Sequence, residues 1–241
     1  MLCELAPDQL TLEPNQIHAW RIALDLPAPS VDELRALLSR AETARANAFH
    51  FAEHRARFIV AHALLRVILA RYTRGAPRDL VFATDEFGKP ALMHPACDFH
   101  FNLAHSEHLA LCAITRAAPI GVDVEFVKPL ENLDELAARF FAPREIAALR
   151  ALPADQRARG FYACWTRKEA YLKALGKGLR APLDQFAVSL APDEQARVVW
   201  ARDDPRAAEE WSLRALDPAP GYVGALATRA RVEAVQCWRL V

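Results

Sequence analysis

The sequence predicts an α+β fold made of two halves with a similar plan. A strand and two helices precede a group of strands, and helices followed by strands then occur again. Helices and strands that are segregated along the chain with short connections favour α+β over a doubly wound parallel sheet. The strand pairs within 99–115 and 211–228 occupy corresponding places, so we expect halves covering residues 1–117 and 118–241.

The first half begins with a strand over 17–24. Ser30 is a suitable N-cap for a helix that starts at Val31, and its apolar stripe extends to Ala41. A second helix is predicted over 53–72, before Gly75 and Pro77. The half closes with two strands, one alternating at 99–103 and one continuously apolar at 109–114.

The second half repeats this order. A strand over 120–126 is followed by short helices over 132–139 and 143–149, with Pro143 in a first helical turn. A long helix over 155–175 ends at Gly176. Five further segments are strand-like, namely 186–190, 197–200, 211–216, 222–227 and 232–238.

Composition excludes several classes of protein. Thirty basic and thirty acidic residues cancel, so no overall attraction to nucleic acid or to a membrane is expected. The most apolar run, 58–69, is interrupted by His62 and Arg66 and is shorter than the roughly 20 residues of a membrane span. The N-terminus has no secretory signal, and the five cysteines form no CxxC pair. We therefore expect a soluble cytoplasmic protein with reduced thiols.

Two acidic residues on the strand 120–126 are candidate metal ligands. Asp123 and Glu125 are two apart, so their side chains project to the same face of the strand. Adjacent carboxylates repel each other, and one stays protonated unless a cation is present. Mg²⁺ is commonly held by one or two carboxylates together with phosphate oxygens. A solvated acidic strand face is the alternative at this point.

The long helix carries a second charged group. Glu169 and Lys173 are four apart and share a helix face, with Lys168 beside them. An ordinary surface salt bridge would explain the spacing, but Trp165 and Tyr171 lie among these charges and indicate a partly buried face.

His105 ends a buried strand and is followed by Ser106, which suits a phosphate contact, although a hydrogen-bonded half-buried histidine is the simpler interpretation. Three further histidines lie close to His105 in the sequence, but their spacing is not that of a zinc site. These three are His94, His100 and His108.

Five motifs occur in an order that resembles the Sfp-type 4′-phosphopantetheinyl transferases. They are FGKP, FNLAHS, IGVDVE, FFAPRE and WTRKEAYLKALGKGL, and the resemblance as a whole covers about residues 39–190. The resemblance implies a monomer in which two α+β halves pack as an intramolecular pseudo-dimer, with coenzyme A bound between them. It also implies transfer of phosphopantetheine from coenzyme A to a serine of an acyl or peptidyl carrier protein, with release of 3′,5′-ADP.

By position in these motifs, the resemblance assigns roles to individual residues. Asp123, Glu125 and Glu169 are the implied Mg²⁺ ligands. Glu169 is the first choice for the base that deprotonates the serine and Glu145 the second, while Lys173 is catalytic through charge neutralisation. The implied contacts to coenzyme A are Lys168 and Lys173 at the pyrophosphate, His105 at the 3′-phosphate, Gly88, Lys89 and Pro90 in the adenine-side loop, and Arg45 and Arg57 at further phosphates.

Some positions depart from the family pattern. Ala104 stands where Ser or Thr is frequent, Glu42 where some members carry a basic residue, and Glu107 with His108 where small residues are frequent. Carrier proteins are acidic helical bundles, so a basic or apolar patch is expected. The candidates are Lys177, Arg180, Phe140 and Phe141, with core packing as the alternative for the two phenylalanines.

Two other functions use the same residues. A Mg²⁺-dependent hydrolase of a nucleotide or pyrophosphate would release its product without an acceptor protein. A non-catalytic module would only bind coenzyme A or a carrier protein.

Overall fold

The computed structural model describes residues 3–7, 9–84, 89–176, 182–191 and 194–240. The helices in these ranges are α1 Ala28–Arg35, α2 Arg40–Asn47, α3 Ala52–Thr73, α4 Leu133–Phe140, α5 Pro143–Ala151, α6 Ala154–Leu175 and α7 Ala207–Glu210. The strands are β1 Glu4–Leu5, β2 Gln16–Ala23, β3 Val81–Thr84, β4 Pro90–His94, β5 His100–Ser106, β6 Leu109–Thr115, β7 Ile120–Phe126, β8 Phe186–Val188, β9 Val198–Ala201, β10 Ser212–Leu216, β11 Tyr222–Thr228 and β12 Ala234–Arg239.

The predicted α+β fold with two similar halves is confirmed. In the first half, β2 leads through three helices and the β3–β4 hairpin to the pair β5–β6. In the second half, β7 leads through three helices and the β8–β9 hairpin to the pair β10–β11. β6 lies between β2 and β5, and β11 lies between β7 and β10, with every pairing antiparallel. The third helix of each half, α3 or α6, has 22 residues.

The C-terminal strand departs from the predicted division of the chain. β12 pairs in parallel with β2, and β1 pairs in parallel with β12, so residues 234–239 complete the sheet of the first half. This neighbourhood also joins Cys3 to Cys237 in a disulfide. The expectation of reduced thiols is therefore wrong for these two cysteines, because a sequence separation of 234 residues conceals their contact. Cys97, Cys112 and Cys164 are free thiols.

The first helical region differs from the prediction. Pro27 occupies the N-cap of α1, and Ser30 lies inside the first turn. The apolar stripe predicted to reach Ala41 is divided, because α1 ends at Arg35 and Ser39 starts α2. Ser39 Oγ accepts a hydrogen bond from the Glu42 backbone, and the Glu42 carboxylate accepts one from the Ser39 backbone at 2.8 Å. This reciprocal capping box stabilises a new helix start.

The two halves meet where β5 faces β7. The Asn102 side chain accepts a hydrogen bond from Val122 N at 2.8 Å, and Ser106 Oγ accepts one from Phe126 N at 3.1 Å. Buried apolar side chains of both halves, including Leu111, Val122 and Leu226, form a core of their own at this junction. Side chains thus connect two sheets whose backbones are not paired at this edge.

β7 also lies very close to α6, at Gly121. A methyl group at Gly121 would overlap the Ala170 carbonyl oxygen and lie 2.6 Å from Ala174 N. Both atoms belong to the backbone, so neither can move aside cheaply. The glycine in the IGVDVE motif therefore sets the distance between β7 and α6.

The described part of the chain contains no helix that is long and apolar enough to cross a membrane.

Replacing Gly121 by alanine tests this close approach. We expect Gly121→Ala to lower the free energy of unfolding by about 3 kcal/mol, since overpacking against backbone cannot be relieved by side-chain movement. Urea denaturation measures the change. Gly75→Ala is the control, because its added methyl group would lie 3.4 Å from the nearest atom, Thr73 Oγ1. Equal stability of the two variants would contradict the argument.

Candidate active site

Strand β7 presents two carboxylates at the junction of the halves. Asp123 is buried, whereas Glu125 is half-buried near the end of the strand. Ser106 Oγ of the first half donates a hydrogen bond to Glu125 Oε2 at 2.8 Å while it accepts the one from Phe126 N. A strand of one half thereby orients a carboxylate of the other half.

Helix α6 contributes Glu169 and Lys173, one turn apart, to the same region. Lys173 Nζ lies 2.7 Å from Asp123 Oδ1 and 3.3 Å from Val122 O. The ion pair thus joins α6 to β7, where the helical spacing alone suggested a partner within the helix. Asp123 Oδ2 and Glu169 Oε1 are buried and have no hydrogen-bond partner among the described residues.

Burial dominates the acidity of these two carboxyl groups. It raises the pKa of Asp123 to about 6, although the ion pair with Lys173 opposes the increase. Burial also raises the pKa of Glu169 to about 7, and the negative charge of Asp123 adds to the effect. Two neighbouring acids out of water favour either a bound proton or a bound cation.

The donor set fits a hard divalent cation in its chemistry. Two buried carboxylates each leave one oxygen without a partner, and such oxygens are preferred ligands of Mg²⁺. The negative charges of Asp123 and Glu125 both raise the pKa of Glu169, so the three predicted acids lie in one region. Among the described residues, however, no three His, Cys, Asp or Glu side chains converge as a ready-made metal site.

The first half brings basic groups to the same place. His105, at the end of β5, has its pKa lowered by desolvation and further by the charges of His62, Lys173 and Arg45. Arg45 is exposed on α2, and its guanidinium lies 5.3 Å from the centre of the Phe58 ring. The junction therefore combines acids from β7 and α6 with basic side chains from α2, α3 and β5.

Lys168 and Glu145 are not part of this group. The Lys168 side chain is fully buried, with Nζ 2.8 Å from Glu145 Oε2, and it donates to Leu183 O and Phe186 O. Glu145 also accepts hydrogen bonds from Ala142 N and Val188 N, both at 2.8 Å.

Two predicted roles fall on side chains that are already engaged in this way, namely Glu145 as an alternative base and Lys168 as a pyrophosphate contact. Their polar atoms are occupied inside the second half, where they tie α5 and β8 to α6. Lys168 directly precedes Glu169, and consecutive helical residues point about 100° apart. The two side chains therefore leave α6 in different directions.

Arg57 is engaged by acidic neighbours. Its Nε lies 2.7 Å from Asp25 Oδ1, and its guanidinium also contacts Glu53, Glu107 and His108. Glu107 in turn pairs with Lys128 of the second half. Arg57 therefore belongs to an ion-pair network. Among the described residues it has no contact with the site acids Asp123, Glu125 and Glu169.

The predicted adenine-side loop is described in part. Gly88 lies outside the described residues. Lys89 Nζ donates to Ile120 O at 3.1 Å and to Lys173 O at 2.6 Å, so it connects the start of β7 with the last turn of α6. Pro90 begins β4 and, with Leu92, lines a cleft of about 270 Å³.

The predicted carrier-protein patch is corrected where it is described. Phe141 is buried against Phe161, and Phe140 is half-buried against Trp165. Core packing, the alternative for this pair, therefore accounts for Phe141. Lys177 and Arg180 lie outside the described residues.

Sequence reasoning missed two residues of the site. The sequence suggests a phosphate contact at Ser106 and gives no sign that its hydroxyl holds Glu125. His62 was noted only as an interruption of an apolar run, and its electrostatic influence on His105 depends on how α3 packs beside β5. No local pattern in the sequence reports either contact.

Comparison with known proteins identifies the family. The model of the 4′-phosphopantetheinyl transferase superfamily matches residues 119–227, and that of the 4′-phosphopantetheinyl transferase N-terminal region matches residues 28–116. The chain is 42% identical over 223 residues to 4′-phosphopantetheinyl transferase HetI from Nostoc sp. strain PCC 7120, covering 92% of this chain and 91% of the relative. It is 33% identical over 181 residues to Sfp from Bacillus subtilis strain 168, covering 74% and 79%.

These matches define an enzyme of the transferase class. The chain belongs to the 4′-phosphopantetheinyl transferase family, as its motifs predicted. A crystal structure of holo-[acyl-carrier-protein] synthase from Thermotoga maritima aligns with a TM-score of 0.37 at 19% identity, over 46% of this chain and 61% of that one.

The buried acids predict a pH-dependent stability. A raised pKa means that the folded state holds its proton more tightly than the unfolded chain does. The stability that these bound protons contribute is therefore lost as pH rises through about 6 to 7. At pH 8 without divalent cations, Glu169→Gln should raise the free energy of unfolding by on the order of 2 kcal/mol. The gain should shrink toward pH 4.5, the ordinary pKa of Glu169.

Chemical denaturation across this pH range measures the effect. Glu209→Gln, at an exposed position of α7, is the control and should leave the profile unchanged. A loss of stability in Glu169→Gln at pH 8 would contradict the assignment of a destabilising buried charge.

Proposed function

We propose that this chain catalyses Mg²⁺-dependent transfer of phosphopantetheine from coenzyme A to a serine of an acyl or peptidyl carrier protein. The observation that carries the proposal is the pair of buried carboxylate oxygens without partners, beside Lys173 and opposite the basic groups of the first half. The named activity of its relatives HetI and Sfp supports the same reaction.

We assign the Mg²⁺ to Asp123, Glu125 and Glu169. The unpartnered oxygens of Asp123 and Glu169 are the donors best suited to it, and Ser106 keeps Glu125 turned toward the same region. When bound, the ion neutralises negative charge that develops on the phosphoryl oxygens and the leaving group.

The reaction requires one proton transfer and one displacement. The serine oxygen of the carrier protein forms a bond to the β-phosphorus of coenzyme A, and the bond from that phosphorus to the bridging oxygen breaks. The 3′,5′-ADP that leaves retains the bridging oxygen. Glu169 accepts the serine proton as the general base.

The remaining contacts follow from charge and shape. Lys173 neutralises the pyrophosphate from a position next to Asp123, and His105 with Arg45 contacts the phosphate of the nucleotide. The cleft beside Lys89 and Pro90 is partly apolar, with Phe99 and Phe101 in its lining, and suits the adenine ring. Arg57 supports this region indirectly, through its bonds to Asp25 and Glu107.

Location and assembly belong to the same proposal. A monomer suffices, because one chain contains both halves and both contribute to the junction. We place the enzyme in the cytoplasm on the ground of three free thiols, whereas the Cys3–Cys237 disulfide is a bond more typical of oxidising compartments.

Intact-protein mass spectrometry tests the reaction. An apo carrier protein incubated with the enzyme, coenzyme A and Mg²⁺ should gain the mass of one phosphopantetheine group, and EDTA should abolish the gain. Glu169→Gln should lose transfer by at least a hundredfold, since general-base catalysis alone contributes roughly 10²–10⁴-fold. Glu209→Gln, exposed on α7, should retain normal turnover.

The other candidate functions give different results in this assay. Phosphate release from a nucleotide or from pyrophosphate, without any mass gain on the carrier, would identify a hydrolase. Tight coenzyme A binding without transfer to fatty-acid, polyketide or peptide carrier proteins would identify a binding module. Near-normal turnover of Glu169→Gln would refute the role given to Glu169.

A further inference from the structure

Arg167 is a buried cation on α6 that no carboxylate of the described residues contacts. The residue is 5% exposed, and its Nη1 donates to Ser189 O at 2.6 Å and to Ser189 Oγ at 3.4 Å. A guanidinium carries N–H donors on all three of its nitrogens. Within the described part of the chain, Nε and Nη2 have no hydrogen-bond partner, so their donors remain available to a ligand.

The contacts of Arg167 do not neutralise its charge. Ser189 is uncharged, and its hydroxyl already donates to Gln195 O at 3.0 Å and accepts a hydrogen bond from Arg197 N at 3.0 Å. Burial lowers the pKa of Arg167, and the acids that oppose this effect act without touching the guanidinium. A buried charge is costly unless it is paired, so this position favours an anion.

A slot of about 100 Å³ adjoins the guanidinium, between α6 and the pair β10–β11. Its lining includes Arg159, Ala163, Arg167, Leu216, Asp217 and Gly224. Ala163 precedes Arg167 by one helical turn, and its small side chain leaves the space beside the guanidinium open. Pockets for drug-sized ligands start at roughly 300 Å³, so the slot excludes a nucleotide and admits a ligand of only a few atoms.

An ion pair stands where the slot opens to solvent. Arg159 and Asp217 form a salt bridge, and their side chains are 47% and 64% exposed. Exposed ion pairs of this kind contribute little to stability, so an incoming anion displaces Asp217 from Arg159 at low cost. An anion in the slot can therefore contact an exposed guanidinium on one side and a buried one on the other.

We propose that this slot is a binding site for a small tetrahedral oxoanion, with inorganic phosphate as its occupant, held between Arg167 and Arg159. A planar guanidinium donates two parallel hydrogen bonds to phosphate, which suits the available donors of Arg167. None of the site acids Asp123, Glu125 and Glu169 lines the slot. The site is therefore separate from the candidate active site, and the inference does not depend on the proposed transfer reaction.

The location on α6 gives the site a consequence for the rest of the protein. The same helix carries Glu169 and Lys173. A phosphate that pairs with Arg167 removes an unfavourable buried charge from this helix. Bound phosphate should therefore raise the melting temperature, because a ligand that binds only the folded state stabilises it.

Calorimetric titration with inorganic phosphate at constant ionic strength tests the proposal. Arg159→Gln should weaken phosphate binding roughly tenfold, since it removes charge-assisted hydrogen bonds. Asp217→Asn should tighten binding about threefold, because it removes the carboxylate that competes for Arg159. Arg144→Gln, at an exposed position of α5 away from the slot, is the matched control and should leave the affinity unchanged.

Two further variants test the inner part of the slot. Arg167→Gln removes the buried cation and should abolish phosphate binding. Ala163→Leu keeps Arg167 but fills the slot, and it should abolish binding as well. Arg45→Gln should retain binding, which separates the slot from the basic groups at the junction of the halves.

Several results would overturn the proposal. One is an equal response of the wild-type protein to phosphate and to chloride at matched ionic strength, which would reflect screening alone. Another is unchanged phosphate affinity in both Arg159→Gln and Asp217→Asn, two substitutions at exposed positions that leave the core intact. Binding that is lost in Arg45→Gln and kept in Arg167→Gln would place the phosphate at the junction and not in the slot.

Discussion

The structure depends on two carboxylates, Asp123 and Glu169, that are held side by side out of water. Their burial raises both pKa values, so the folded protein bears an unfavourable charge that only a proton or a cation relieves. The close approach of β7 to α6 at Gly121 makes this juxtaposition possible. Lys173 compensates one oxygen of Asp123 and leaves the other without a partner, which suits the Mg²⁺ site that we propose.

The two halves repeat in topology but differ in chemistry. β2 and β7 begin equivalent units, yet the β2 sequence QIHAWRIA contains no acidic residue where β7 carries Asp123 and Glu125. The second half supplies the acids, while the first supplies Ser106, His105 and basic residues of its helices. A site between such halves can bind a metal through the acids of one half and phosphate through the basic side chains of the other. The chemical difference between the two halves is therefore what makes the site possible.

Local patterns predicted much of this arrangement. The strand 120–126 and the end of α6 before Gly176 agree with the prediction, because apolar alternation and a left-handed glycine are local signals. The two-residue spacing of Asp123 and Glu125 likewise predicted that both acids lie in one region, on one face of β7. The burial of Lys168 against Glu145 was not predictable, because a motif records neighbours along the chain and not the direction in which each side chain leaves the helix. The Cys3–Cys237 pairing and the return of β12 to β2 depend on contacts that no local pattern contains.

The central claim is that Asp123 and Glu169 form a divalent-cation site completed by the phosphates of coenzyme A. Electron paramagnetic resonance with Mn²⁺ in place of Mg²⁺ tests it directly. We expect the wild-type protein to bind one Mn²⁺ in the presence of coenzyme A, with magnetic coupling to phosphorus, and we expect Asp123→Asn to abolish the bound signal. Mn²⁺ binding with unchanged phosphorus coupling in Asp123→Asn would contradict the account.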